Sequence, residues 1–572
     1  MHRRATTLLI VFGLLVAPLA GTAALADPQS REHLRSTADA TLGRGRDKRP
    51  ALVEPAKPDA LSRALDAARI TPARYALERV RSLFSLEGVR ARFGRVAAPD
   101  PRAATMLIRD LRLRVDELSP AQRAIARRVL ARPTDGFPAD LDGYTVPEAA
   151  PYCPAAVHVC VHYVTSTVDA PPPTDADASG VRDYVEATSD VLEQVWAKEI
   201  VDLGYRAPKS DLSSDNNGPN AKLDVYLVDI GDDGIFGYCD SDDPHLQPSG
   251  YHYWDMSAYC VLDDDYAPIQ FGMDPLDALQ VTAAHEFFHS VQFAYDYADD
   301  AWFMEGTATW MEDVVFDDID DNLRYLPSGP IGQPTIPLDR NTGFRIYGTW
   351  IFWRFLTEYF GGATPVDGIV RQIWNKADGS ATGPDRYSTQ AVALTVAEQT
   401  VNGTPWKLRW AFADFGVWNL RPAKFYDEGA SYPAPSIART LTLTRAAPSF
   451  HSSTTLDHLT NRAVSLRRGS KLATTARLRI VVDGPVYGTG PEASAIVLRT
   501  NGTSAVRVVN LNGNGDGTIT VGFGPTIGRV IVVLTNGSAR YSACYSDQTP
   551  FACFGGVPLD QNRPYSFRAT VI

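Results

Sequence analysis

His285-Glu286-Phe287-Phe288-His289, followed by Glu305 within Trp302-Phe-Met-Glu-Gly-Thr-Ala-Thr-Trp310, decides how this chain is read. Two histidines four apart on a helix put both imidazoles on one face, about one turn apart. That spacing lets two ring nitrogens hold one Zn²⁺. Glu286 stands beside the first ligand, where a carboxylate can take a proton from water activated at the metal. Fifteen residues separate His289 from Glu305, room for a turn and a return helix that brings a third, oxygen ligand. The fourth vertex stays open, as a catalytic rather than a structural zinc site requires.

The surrounding residues read as helix. Asp274-Pro275 suits N-cap and N1, and Leu276, Leu279, Ala283, Phe287 and Val291 form an apolar stripe at helical spacing. Asp299 and Asp300 are placed to cap a second helix from about Trp302 to Val315. The plainer alternative is a buried helix whose histidines are ordinary core groups.

His285, Glu286, His289 and Glu305 resemble the site of the gluzincin metallopeptidases, the clan of thermolysin-like and aminopeptidase-N-like enzymes. The run Trp302-Phe-Met-Glu305-Gly306-Thr-Ala is similar to the helix on which the latter carry their third ligand. The nearest likeness is to secreted bacterial metallopeptidases of gluzincin type, over about Cys160 to Asn419. Metzincins do not fit, because Gln292 and Tyr295 stand where they need a glycine and a further ligand. The resemblance implies that His285, His289 and Glu305 bind zinc and that Glu286 is general base, later returning the proton as general acid. Thermolysin-like enzymes carry an aspartate four residues after the third ligand, which orients a zinc-binding histidine. Thr309 stands there in this chain.

Gluzincins stabilise the oxyanion with a later tyrosine or histidine. The only histidines after Glu305, His451 and His458, fall in what reads as a separate domain. Tyr347, in Arg345-Ile-Tyr347-Gly348-Thr-Trp350, matches the position where aminopeptidase-like relatives place such a tyrosine. Its phenol could donate to the oxyanion. An ordinary core tyrosine would suit the aromatic helix equally. Arg345 is the second candidate.

Arg3 and Arg4, the apolar run Leu8 to Leu19 and Ala24-Leu25-Ala26 read as a secretory signal over residues 1–26. No later stretch has the ~20 apolar residues of a membrane span, so a secreted, extracellular product is expected. Six cysteines, Cys153, Cys160, Cys239, Cys260, Cys544 and Cys553, suit that compartment as disulfides, and proximity pairs them in that order. His158, Cys160 and His162 alternate along a strand and could be drawn as a second metal site; a disulfide with two strand histidines is the better reading.

The net charge of −12 is unevenly spread. Asp27 to Asp140 holds 23 Lys and Arg against 15 Asp and Glu, which leaves residues 141–572 at −22. A basic segment before an acidic body suggests an intramolecular electrostatic partner. Helices are expected at Asp59–Ile70, Pro72–Leu86 and Pro120–Ala131, so residues 27–150 read as a propeptide or a retained accessory segment. No nucleic-acid motif accompanies the arginines.

The zinc peptidase domain is expected over 151–435. It should hold a strand at Val157–Val164, a helix from Ser179 to Leu203, strands around Leu223–Leu227 and Ala258–Leu262, and a helical half that includes Tyr347–Phe360 and Trp406–Asn419. The strand at Ala258–Leu262 is the one expected to pair with an extended substrate. Asp240–Asp243, Asp263–Asp265 and Asp317–Asp321 could bind Ca²⁺ or be solvated loops. Short alternating runs from Arg477–Val482 to Tyr565–Val571, with turns such as Asn512-Gly-Asn-Gly-Asp-Gly517, read as a β-sandwich over 436–572, which would bind substrate or a surface glycan, or only stabilise.

The expectation is a multidomain protein: a helical prosegment, an α+β gluzincin-like catalytic domain with a mixed sheet and a helical half, and an all-β sandwich. Its function is hydrolysis of protein or peptide substrates. Endopeptidase is preferred, because the Gly-x-Met-Glu-Asn run that binds a free amine in the exopeptidases is missing. The alternative is a non-catalytic cell-surface or matrix-binding protein on a degenerate peptidase scaffold.

Overall fold

The computed structural model describes residues 50–136, 142–246, 253–361, 368–542, 552–553 and 555–572. The segment expected to be a secretory signal and Cys544 lie outside them. No described helix is long and apolar enough to cross a membrane.

Four strands build the first sheet: β1 (Val159–His162), β2 (Leu223–Val228), β3 (Gly237–Asp240) and β4 (Tyr259–Asp263), in the order β1-β2-β4-β3. β1, β2 and β4 run parallel, and β3 is the antiparallel edge. β4, the strand expected to receive substrate, is therefore paired on both sides, and the free edge belongs to β3. Order within a sheet is set by long-range pairing that no local pattern encodes.

The Pro275–Asp296 helix packs against β3 and β4. Asp274 caps it, accepting from the Leu276 N–H at 3.0 Å, and Pro275 occupies the first position. From Ala278 to Asp296 only Gln280 escapes full burial, so the helix is buried all round rather than along one stripe. Leu276, assigned to the apolar stripe, is instead half exposed. The Ala301–Val315 helix returns beside it. Asp300 precedes that helix without capping it: its carboxylate accepts from Asn341 and Ser388, and Asp299 accepts from the Asp300 N–H. The rest of the helical half includes Arg345–Gly348, Trp350–Phe360, Ile369–Ala377, Thr389–Glu398 and Leu408–Asn419.

Two glycines permit close approach. A Cβ on Gly306 would meet Thr349 Oγ1 at 2.4 Å and Trp353 Nε1 at 2.6 Å, so the residue after Glu305 lets two helices touch. A Cβ on Gly237 would meet Thr282 Cγ2 at 2.9 Å and Glu286 Cγ at 3.0 Å, so the edge strand can lie against the motif helix.

The N-terminal helices Ala60–Asp66, Pro72–Phe84, Leu86–Phe93, Ala104–Arg112 and Pro120–Val129 do not stand apart. Ala76, Met106, Leu107, Ile108 and Val129 share one apolar core with β1, β2, β4 and the motif helix. The C-terminal region has its own core between a four-stranded sheet (Ser449–Leu456, Arg477–Asp483, Asp516–Gly522, Arg563–Val571) and a five-stranded one (Arg439–Leu443, Thr460–Arg468, Pro491–Arg499, Ser504–Val508, Ile527–Asn536). The molecule is thus a mixed α and β protein with several sheets.

Disulfides join Cys153 to Cys160 and Cys239 to Cys260, both as proximity suggested. The pairing expected for Cys544 and Cys553 falls outside the described residues. His158 stacks on Trp196 and pairs with Glu193, while His162 pairs with Glu148 and Asp224, so neither joins a metal group.

Candidate metal centre

His285 and His289 lie one turn apart on the motif helix, and the return helix brings Glu305 to them. His285 Nε2 is 3.1 Å from His289 Nε2 and 3.1 Å from Glu305 Oε2; His289 Nε2 is 3.6 Å from the same oxygen. Donors about 2.0–2.1 Å from a tetrahedral Zn²⁺ stand about 3.3 Å apart, so this triangle fits one such ion.

The outer contacts fix the tautomers. His285 Nδ1 is 2.6 Å from Glu312 Oε1 and His289 Nδ1 is 2.7 Å from Gln292 Oε1. Gln292 is oriented by its own amide, which donates to the Met304 carbonyl and Thr307 Oγ1. Both Nδ1 atoms thus face acceptors and carry hydrogen, which turns both Nε2 atoms toward the Glu305 carboxylate. Positive charge must sit between them, as a proton on an imidazole or as a metal ion. Burial opposes a cationic His285, yet hydrogen bonds to Glu305 and Glu312 outweigh it and hold its pKa at about 10. Burial likewise opposes ionisation of Glu305, and the two histidines bring it down to about 2. Glu305 Oε1 is buried without a hydrogen-bond partner among the described residues. The donor set therefore fits a divalent cation.

Glu312 is the carboxylate that meets His285 Nδ1. It lies seven residues past Glu305, two turns along the same helix face. The Thr309 hydroxyl is buried without a hydrogen-bond partner among the described residues.

Glu286 lies beside the triad, where burial pushes its carboxyl up and the imidazoles work against that. Its neighbour is unexpected. Thr105, from the N-terminal Ala104–Arg112 helix, donates its hydroxyl to Glu286 Oε2 at 2.9 Å and accepts the Cys239 N–H of the sheet edge at 2.9 Å. The Cys239–Cys260 bridge rests on the same helix turn, with Cys239 Sγ 3.0 Å from the Glu286 carbonyl oxygen.

Other N-terminal side chains surround the site. Arg102 pairs with Asp321 at 2.7 Å and approaches Glu312 at 3.6 Å. Asp100 caps the adjoining turn, and burial raises its pKa to about 7. Arg109 donates to the Asp299 carbonyl at 2.7 Å. Arg112 pairs with Asp240, and Arg132 reaches Asp211, Asp224 and Asp242, each at 2.8 Å. The charge asymmetry of the sequence is thus resolved inside the molecule. Asp240 and Asp242 are consequently spent on arginines, which removes Asp240–Asp243 as a calcium loop. Of the remaining acidic loops, Asp229, Asp263 and Asp264 bring ligand atoms within 4.8 Å of one another, as do Asp313, Asp317 and Glu428.

Tyr347 is fully buried, its ring centroid 6.2 Å from that of His285, and its hydroxyl has no hydrogen-bond partner among the described residues. Burial and nearby Glu305 raise its pKa, so the phenol keeps its proton. Arg345 is not free for chemistry, because it donates to the carbonyls of Gln333, Ile336 and Pro337.

No family model matches this chain, and no curated protein matches it. Among solved structures, a periplasmic inhibitor of g-type lysozyme, PliG of Salmonella Typhimurium, is 13% identical, with 24% of this chain and 99% of that one covered, at a TM-score of 0.13. A structure of infectious bursal disease virus, Gx strain, is 14% identical over 21% of this chain and 35% of that one, at a TM-score of 0.10. Likenesses this slight say nothing of fold or function.

Proposed function

We propose that the protein is a secreted, zinc-dependent peptidase of gluzincin type, an endopeptidase held latent by its own N-terminal block. The observation that carries this reading is the convergence of His285 Nε2, His289 Nε2 and Glu305 Oε2 within 3.1–3.6 Å, with Glu286 on the next residue. Two disulfides suit export into an oxidising compartment.

Zn²⁺ would polarise the scissile carbonyl and lower the pKa of water. Glu286 takes the proton of the attacking water and hands it to the departing amine. Tyr347 supplies a hydrogen bond to the developing oxyanion from a phenol that has no hydrogen-bond partner among the described residues. Glu312 and Gln292 hold the histidine rings in register. The free edge of β3 offers Cys239 N–H to an extended peptide. In the full chain Thr105 takes both that N–H and Glu286, and Glu286 is only 3% exposed, so substrate cannot enter until residues 101–112 leave. The acidic groups Asp229/Asp263/Asp264 and Asp313/Asp317/Glu428 are candidates for Ca²⁺, and the C-terminal sandwich for a substrate or glycan contact.

Glu286→Gln tests the assignment. Zinc content should stay at wild-type level, while casein hydrolysis by the processed form falls by at least ~10³-fold. A non-catalytic binding protein on the same scaffold would show no hydrolysis in either form, and equal hydrolysis in both forms would remove Glu286 from the mechanism.

A further inference from the structure

Arg102 sits in a cage whose walls belong to the catalytic body. Its guanidinium lies over the Phe236 ring at 4.1 Å and the Tyr325 ring at 5.6 Å, and it faces the carboxylates of Asp321 and Glu312. Phe236 immediately precedes the edge strand, Asp321 and Tyr325 bound one short helical turn, and Glu312 is the residue that holds His285 Nδ1. Arg102 is only 6% exposed, so the cage keeps a desolvated cation between aromatic faces and carboxylates.

We infer that this cage is the substrate subsite for a basic side chain, filled by Arg102 only while the N-terminal block is in place. The inference rests on the latent-peptidase reading and extends it to the class of residue recognised.

Three observations support it. Thr105, three residues after Arg102, engages the general base and the edge N–H together, so Asp100 to Thr105 runs along the cleft. Three residues of helical turn cover roughly 5–6 Å, and an extended substrate advances ~3.3 Å per residue, which puts the cage one or two residues from the scissile bond. When Arg102 departs, Glu312 keeps its contact with His285 Nδ1, and Asp321 keeps Arg324, which is 43% exposed and lies 5.5–5.6 Å from the same two rings. The rings and carboxylates then lose their buried guanidinium, and a site built to pair with a cation discriminates against ligands that lack one.

The test uses the full chain carrying Glu286→Gln, so that binding is read without hydrolysis. Arg102→Ala should bind ethylguanidinium, small enough to enter the space the side chain leaves, in isothermal titration at least ~30-fold more tightly than the neutral N-ethylurea. The parent with Arg102 present should bind neither, and adding Asp321→Asn should reduce the guanidinium ligand's affinity at least ~10-fold. A folded Arg102→Ala protein that binds both ligands equally, or neither, would overturn the inference. Arg102→Met, which retains most of the stem, replaces the alanine variant if that one fails to fold and is read by the same criteria. Guanidinium binding without peptidase activity in the Glu286 form would uphold the cage and sink the hydrolytic reading alone. Hydrolysis by the processed wild type with no enrichment of Arg or Lys within two residues of the cut would sink the cage alone.

Discussion

The Thr105 hydroxyl stands 2.9 Å from Glu286 Oε2, so a side chain of the N-terminal block holds the carboxylate proposed as general base. Thr105 Oγ1 also accepts the Cys239 N–H, which joins the proposed base and the open edge of β3 in one contact.

Latency follows from that contact. The intact chain should hydrolyse a quenched peptide at less than ~1% of the rate of a form cut between Pro133 and Cys153. N-terminal sequencing of the extracellular protein, paired with that assay, gives the answer. Full activity in a chain beginning at Asp27 would reject the propeptide role.

Glu312→Gln should weaken zinc binding by about 10- to 100-fold, because the neutral amide no longer fixes and polarises His285 through Nδ1. Competition with a chelator of known affinity measures this. Thr309→Ala should leave affinity unchanged, since the Thr309 hydroxyl has no hydrogen-bond partner among the described residues. Equal losses in the two variants would show that the helix as a whole, not Glu312, sets the site.

A third prediction concerns pH. His458, at the edge of the sandwich, lies 2.8 Å from Asp339 of the catalytic half, and both are buried. Burial opposes both charges, but their attraction wins: the imidazole pKa is raised and the carboxyl pKa lowered. The raised histidine stabilises fully below its unfolded pKa of ~6.5, and the gain is lost as pH climbs through the higher folded value. The lowered aspartate stabilises above ~3.8 and loses its share as pH falls through its folded value. The pair therefore acts best between about pH 4 and 6.5. His458→Gln should cost on the order of 3 kcal/mol at pH 5.5 and progressively less toward pH 9. Urea unfolding across that range checks it; a deficit independent of pH would contradict the pairing.

What the sequence disclosed depended on range. His285, Glu286 and His289 are legible because four residues of helix fix their relative placement, and Glu305 because one turn and one return helix do. Glu312 belongs to the same helix, seven residues beyond Glu305, but no short motif marks its place. Ala258–Leu262 reads as an edge strand in the sequence but is paired on both sides, because strand order is decided by partners far apart in the chain. Strands such as Ser449–Leu456, with the sequence SFHSSTTL, escaped because Ser and Thr blur the alternation that marked Arg477–Val482. The charge imbalance foretold that the N-terminal segment and the body attract. It could not foretell that Thr105 and Arg102 would lie beside Glu286 and Glu312.

Metal analysis of the purified full chain bears most directly on all of this. After zinc supplementation and desalting, the wild type should carry one Zn²⁺ per chain, and Glu305→Ala should carry less than ~0.1 while keeping its circular dichroism. A folded wild type without bound divalent metal, or a Glu305→Ala variant still fully loaded, would contradict the three-ligand centre on which the proposed chemistry depends.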